Sequence, residues 1–105
     1  MAQYDVHINP NPQARDLNPY LVDLQSDHLS HLETRLIAPL VPVEGRQQPV
    51  RRLHPVVEID GRRYFILMQE MAGAPKQVLS GKPIRNISDV SYDIIAAVDF
   101  LVSGI

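Results

Sequence analysis

Residues 55–68 read Pro55-Val56-Val57-Glu58-Ile59-Asp60-Gly61-Arg62-Arg63-Tyr64-Phe65-Ile66-Leu67-Met68, and this stretch decides the fold class. Two runs of β-branched and aromatic residues, Pro55–Ile59 and Arg63–Met68, flank the pair Asp60-Gly61. A two-residue hairpin turn needs positive φ at both central positions, and Asp-Gly reaches it at little steric cost. The stretch therefore predicts an antiparallel hairpin.

Upstream, Tyr4, Val6 and Ile8 alternate with Asp5 and His7, the period of a half-buried strand, until Asn9-Pro10-Asn11-Pro12 stops it. Pro19-Tyr20-Leu21-Val22-Asp23-Leu24 reads as a second strand with its exit at Gln25-Ser26-Asp27. Leu36–Val41 reads as a third, with Pro39 placing it at an edge or a bulge. Residues 42–49 read as a loop. Downstream, Ala72-Gly73-Ala74-Pro75 reads as a break and Lys76–Leu79 as a short last strand.

The period then changes. Ile87, Val90, Ile94, Val98 and Leu101 recur every three or four residues, with Ile95 and Val102 widening the stripe. This predicts one helix from about Asp89 to Val102, with Ser88 as its N-cap and Gly104 as its stop. Strands followed by one helix give a mainly β fold with one C-terminal α-helix, an antiparallel barrel or curled sheet closed by that helix.

Length and composition bound the rest. A chain of 105 residues fits one domain, and 45% hydrophobic with 21% charged residues is ordinary for a globular fold. So short a chain leaves apolar surface near water, which favours a homodimer. The net charge of −2 and the scattered basic residues, apart from Arg51-Arg52 and Arg62-Arg63, argue against direct nucleic-acid binding. The absence of cysteine fits a reducing compartment. Met1–His7 lacks the basic flank and apolar run of a signal peptide, and no apolar stretch approaches membrane-spanning length. The expected location is cytoplasmic.

Few residues point to chemistry. His28 and His31 with Glu33 are the best metal-like cluster, but they follow a strand exit and read as polar loop residues. His54 precedes a proline and reads as the start of a strand, not a general base. Ser26-Asp27-His28 holds the residue types of a hydrolase triad, yet adjacent side chains point apart. Asp23 and Asp27 have the makings of paired carboxylates without a cleft. Asn86-Ile87-Ser88 has the form of a glycosylation acceptor and reads better as the approach to the helix. No enzyme activity, cofactor or metal is expected.

Several stretches together resemble the CcdB family of toxins from type II toxin–antitoxin pairs. They are Tyr20-Leu21-Val22-Asp23-Leu24-Gln25-Ser26-Asp27, Arg35-Leu36-Ile37-Ala38-Pro39-Leu40, and Leu53-His54-Pro55-Val56-Val57-Glu58-Ile59. Met71-Ala72 with Pro75, and Asp93-Ile94-Ile95 running to Ser103-Gly104-Ile105, complete the set in family order. The resemblance implies a homodimer of SH3-like antiparallel β-barrels, each with a long C-terminal helix. It implies a toxin that binds the A subunit of DNA gyrase, traps the enzyme on cleaved DNA, and is neutralised by a cognate antitoxin that folds on binding.

The resemblance also assigns surfaces. Gyrase contact falls on Asp99, Ser103, Gly104 and Ile105, and antitoxin contact on Asp23, Ser26, Asp27, His28 and Leu29 together with the C-terminal tail. A plain reading of the second group makes Ser26 and Asp27 a strand-to-loop turn and Leu29 a buried anchor. The family tail is Trp-Gly-Ile, and here Ser103 stands in the Trp position. Phe100, one helical turn earlier, either substitutes in part for that ring or simply continues the packed helix. Ser103 therefore leaves a second reading open: a CcdB-fold protein that has lost gyrase poisoning and acts as an antitoxin decoy or on another target.

Overall fold

The computed structural model describes residues 2–45 and 47–104. Seven strands form one antiparallel sheet: β1 (Asp5–Ile8), β2 (Tyr20–Asp23), β3 (Thr34–Pro42), β4 (Val56–Ile59), β5 (Arg62–Ile66), β6 (Ala72–Pro75) and β7 (Arg85–Asn86). A helix, α1 (Ser91–Ser103), follows them. The sheet order is β4-β5-β3-β2-β1-β7, with β6 attached to β3, and it curls into a nearly closed barrel. The mainly β architecture with one C-terminal helix is the one the sequence predicts.

The hairpin forms where the sequence places it. Ile59 pairs with Arg62 across the turn, with Asp60 at φ 52 and Gly61 at φ 78. Both faces of β5 are covered. Tyr64 and Ile66, followed by Met68, point into the main core with Val6, Val22, Ala38, Leu40, Val57, Ile59, Ile87, Ile94 and Ala97. Phe65 and Leu67 point the other way and pack with Val41 in a smaller cluster.

The nine-residue β3 is the hub. One edge pairs with β2 over Ile37–Leu40; the other takes β6 over Thr34–Ile37 and β5 over Leu40–Pro42. Pro39, expected at an edge or a bulge, instead lies inside this central strand. Its carbonyl accepts from the Leu67 N–H at 2.9 Å, on the side where β5 has ended and β6 has not begun. A residue's N–H and C=O point to the same side of a strand, so the donor that proline lacks would face that seam and no ladder bond is lost.

Four other local expectations are corrected. The Ala72–Pro75 break is strand β6, whose small residues pair with β3, Gly73 opposite Leu36. The strand expected at Lys76–Leu79 is a 3₁₀ turn that plugs Leu79 into the interior. In β1 the alternation does not divide core from solvent: Val6 is buried, Ile8 is 53% exposed, and Asp5 and His7 are covered on the opposite face. Asn86 Nδ2 donates to Asp5 Oδ1, and His7 Nδ1 donates to the Gly81 carbonyl at 2.9 Å, so the 81–86 segment lies over that face. Tyr4 is not in the strand; it sits in the left-handed region at φ 72.

The fourth correction concerns the start of the helix. A 3₁₀ turn, Ser88–Val90, leads into α1, and Val90 at the N-cap position makes no side-chain cap. Ser88 is not the cap; its own N–H donates to Asn86 Oδ1 at 3.0 Å. The stop is as read: Gly104 is left-handed at φ 75, and its N–H donates to the Phe100 carbonyl.

Gly61 meets nothing within 4 Å of where a Cβ would stand, so Gly61→Ala tests backbone strain alone. It is expected to cost about 1 kcal/mol, lowering the thermal midpoint by about 4–8 °C in a circular-dichroism melt. An unchanged midpoint would contradict the assigned turn.

Candidate functional site

The end of β2 and its connection to β3 are organised by a buried charge pair. Asp23 faces Ile37 across the ladder, and Arg35 is its diagonal neighbour on the same side of the strands. Arg35 Nε and Nη2 both donate to Asp23 Oδ2, Nε at 3.0 Å, and the two side chains are 1% and 0% exposed. Asp23 Oδ1 accepts the Gln25 N–H at 3.0 Å.

Gln25 extends the pair outward. Its Oε1 accepts the Leu36 N–H at 3.0 Å, and its Nε2 donates to the Leu29 carbonyl at 2.9 Å. A side chain thus takes over where the β2–β3 ladder ends, and it holds the next turn. That turn is the 3₁₀ segment Asp27–Leu29, where Ser26 Oγ accepts the His28 N–H at 3.2 Å. Asp27 Oδ1 accepts the Gln3 N–H at 2.9 Å, which joins the N-terminal segment to the same surface.

The predicted antitoxin-contact residues therefore separate. Ser26 is half-buried, and Asp27, His28 and Leu29 are exposed on one turn. Leu29, 45% exposed, is not a buried anchor, and Leu32 and Leu36 near the start of β3 are exposed as well. Asp23 is no surface residue. Its carboxylate is fully enclosed and committed to Arg35 and Gln25, so its contribution is to position the turn.

The second surface is the outer side of α1. Ile94 and Ala97 are buried against the barrel, with Val90 and Val98 partly so. Ile95 and Val102, expected to widen the core stripe, are 53% and 80% exposed. They are seven residues apart and share a face with Tyr92, which is 84% exposed, and with Asp99 and Ser103. The outer stripe is apolar where a solvated helix would be polar.

At the tail, Ser103 Oγ donates to the Asp99 carbonyl at 2.6 Å. This back-bond closes the last turn but offers no aromatic surface. Phe100 is half-buried and lies beneath the Arg52 guanidinium, 4.5 Å from ring centroid to carbon, so it packs and does not project in place of the absent Trp. Ile105 lies outside the described residues.

Neither surface assembles reactive groups. His28 and His31 are exposed, and among the described residues no group of three or more His, Asp or Glu gathers to hold a metal. His54 is buried just before β4; its Nδ1 accepts the Val50 N–H at 2.8 Å and its ring packs on Phe65. An open groove lined by Val41, Leu67, Glu44, Arg62 and Glu70 lies elsewhere on the barrel. There the Arg62 side chain lowers the Glu44 pKa through their hydrogen bond. No helix among the described residues is long and apolar enough to cross a membrane.

Sequence reasoning left Arg35, Gln25 and Tyr92 without roles. An arginine at the start of an apolar strand, twelve residues after a strand-end Asp, was a usable signal for the first. Tyr92 lies opposite the core stripe on the helical wheel. A family model described as CcdB protein matches residues 3–104, nearly the whole chain.

Arg35→Met leaves the Asp23 carboxylate buried without its partner and is expected to cost about 3–5 kcal/mol. Asp23→Leu combined with Arg35→Met is expected to lose clearly less than the two single losses summed, since no lone charge remains. Urea midpoints measure both; simple additivity would count against a coupled pair.

Proposed function

As the chain belongs to the CcdB family of toxins, we propose that it is the toxin of a type II toxin–antitoxin pair that binds the DNA gyrase A subunit and traps the gyrase–cleaved-DNA complex. The observation that carries a binding function is the outer stripe of α1. Tyr92, Ile95 and Val102 stand exposed on the face that runs to Ser103 and Gly104, and a helix keeps large apolar side chains in water only at a cost.

In this reading the chain performs no covalent chemistry. Asp99, Ser103, Gly104 and Ile105 of the tail meet gyrase, and Ser26, Asp27, His28 and Leu29 with the tail meet the antitoxin. Asp23 holds the second of these surfaces in place from beneath. The antitoxin supplies a disordered segment that folds on contact. Two copies pair as a homodimer, which presents each patch twice to a two-fold symmetric target. Gyrase holds the DNA, so the toxin needs no basic stripe of its own. The reading places the chain in the cytoplasm with its target.

Ser103 supports a second reading. An aromatic anchor at an interface is worth about 2–4 kcal/mol, or about 30- to 1000-fold in affinity, and the Ser103 hydroxyl is turned back on Asp99. A homologue without that anchor serves as a decoy for antitoxin, or acts on another target.

Expression of the chain alone in cells with wild-type gyrase separates the two. Growth arrest by the native chain, relieved by a gyrase A variant that resists poisoning, supports the toxin reading. Arrest only by Ser103→Trp sinks it in favour of the decoy. In vitro, Ser103→Trp is expected to tighten binding to a gyrase A fragment by about 30-fold or more, measured by calorimetry. Sedimentation equilibrium at micromolar concentration tests the dimer; a monomer there would remove the two-fold argument.

A further inference from the structure

A side chain from outside α1 lies against its last turn. Arg52 has φ 72, a left-handed conformation that a long side chain rarely adopts without a tertiary reason. The turn that presents it is locked. The Leu53 and His54 N–H groups both donate to the Val50 carbonyl, at 3.1 and 3.0 Å, while the Val50 N–H donates to His54 Nδ1. Nδ1 is thereby the acceptor nitrogen, so Nε2 carries the proton and donates to Gln69 Oε1 at 2.8 Å. The 3₁₀ turn Met68–Glu70 that contains Gln69 packs against α1.

From this braced turn the Arg52 guanidinium reaches over the face of Phe100, 4.5 Å from its centroid. Among the described residues no carboxylate forms a salt bridge with Arg52, so the ring is its partner. The Phe100 carbonyl is also the acceptor that closes the helix at Gly104. Arg52 therefore touches the residue on which the geometry of the tail depends.

We propose that Arg52 is a positioning residue: its strained backbone aims a guanidinium onto Phe100, and that cation–π contact fixes the last turn of α1 and the direction in which Ser103 and Gly104 leave the barrel. A glycine would adopt φ 72 without strain, yet it would supply no cation. The guanidinium is planar and stacks on a ring face, which an ammonium does not match. The functional consequence rests on the reading that the tail contacts gyrase; the contact itself does not.

Three variants of the full chain test this. The Arg52 side-chain protons are expected upfield by the ring current of Phe100 in the NMR spectrum, and Phe100→Leu returns them to ordinary positions. Arg52→Gly is expected to keep the fold, with a thermal midpoint within a few degrees of native. It is expected to speed amide exchange at Val102, Ser103 and Gly104 by about two- to five-fold, and to weaken binding to a gyrase A fragment by a similar factor. Arg52→Lys recovers part of both losses. Unchanged exchange at these amides in Arg52→Gly, or Arg52 proton shifts indifferent to Phe100→Leu, overturns the proposal. Faster exchange with no gyrase binding by native or variant chain upholds the clamp and removes the gyrase reading.

Discussion

Asp23 and Arg35 meet on the side of β2 and β3 turned away from the main core, and each is almost completely removed from water. Such a pair does not stabilise a fold by much, because desolvating two charges offsets most of their attraction. What it does is make alternatives costly. Slipping β2 against β3 by one residue would put the two charges on opposite faces of the sheet and leave Gln25 without the Leu36 N–H. The pair thus fixes the register in which Val22 meets Ala38 and Tyr20 meets Leu40, and with it the alignment of the main core. It also fixes the path of the chain beyond β2, since Gln25 is gripped on one side by Asp23 and on the other grips the turn that ends at Leu29.

Three strands are ordered by the one that Arg35 belongs to. β3 carries β2 on one edge and shares the other between β6 and β5. Pro39 sits where the second edge changes partner. A proline excluded from most central strands is accommodated because the missing donor falls at the seam between β6 and β5. The same changeover frees residues 67–71 to leave the sheet and form the turn that supports both α1 and, through Gln69, the His54 brace.

The helix divides its surface unequally. Ala97, with no bulk beyond Cβ, lets α1 lie close to the barrel alongside Ile94, and this close, narrow contact leaves Ile95 and Val102 turned to solvent. A sequence stripe that looks broad enough for burial is split between a core side and an outward side. The outward side reaches the tail, where the hydroxyl of Ser103 and the left-handed Gly104 finish the helix. Under the proposed binding role such a surface needs rigidity more than chemistry, and among the described residues no metal-holding cluster gathers there.

The sequence by itself determined the features that depend on neighbouring residues. The Asp60-Gly61 hairpin, the strand-to-helix order and the Gly104 stop follow from local φ preferences and periodicity, and they stand as read. The family resemblance, spread over five stretches, was legible for the same reason: it rests on residue order. Contacts between distant segments were not legible. Periodicity reports that one face differs from the other, and it does not report which loops cover a face; hence Asp5 and His7 are buried where alternation put them in solvent. Only the tertiary structure decided that Asp23 lies inside and Leu29 outside, that Ala72–Pro75 pairs as a strand, and that Phe100 lies under Arg52. The Asp23, β6 and Phe100 contacts each depend on a partner twelve or more residues away, brought close by the tertiary fold.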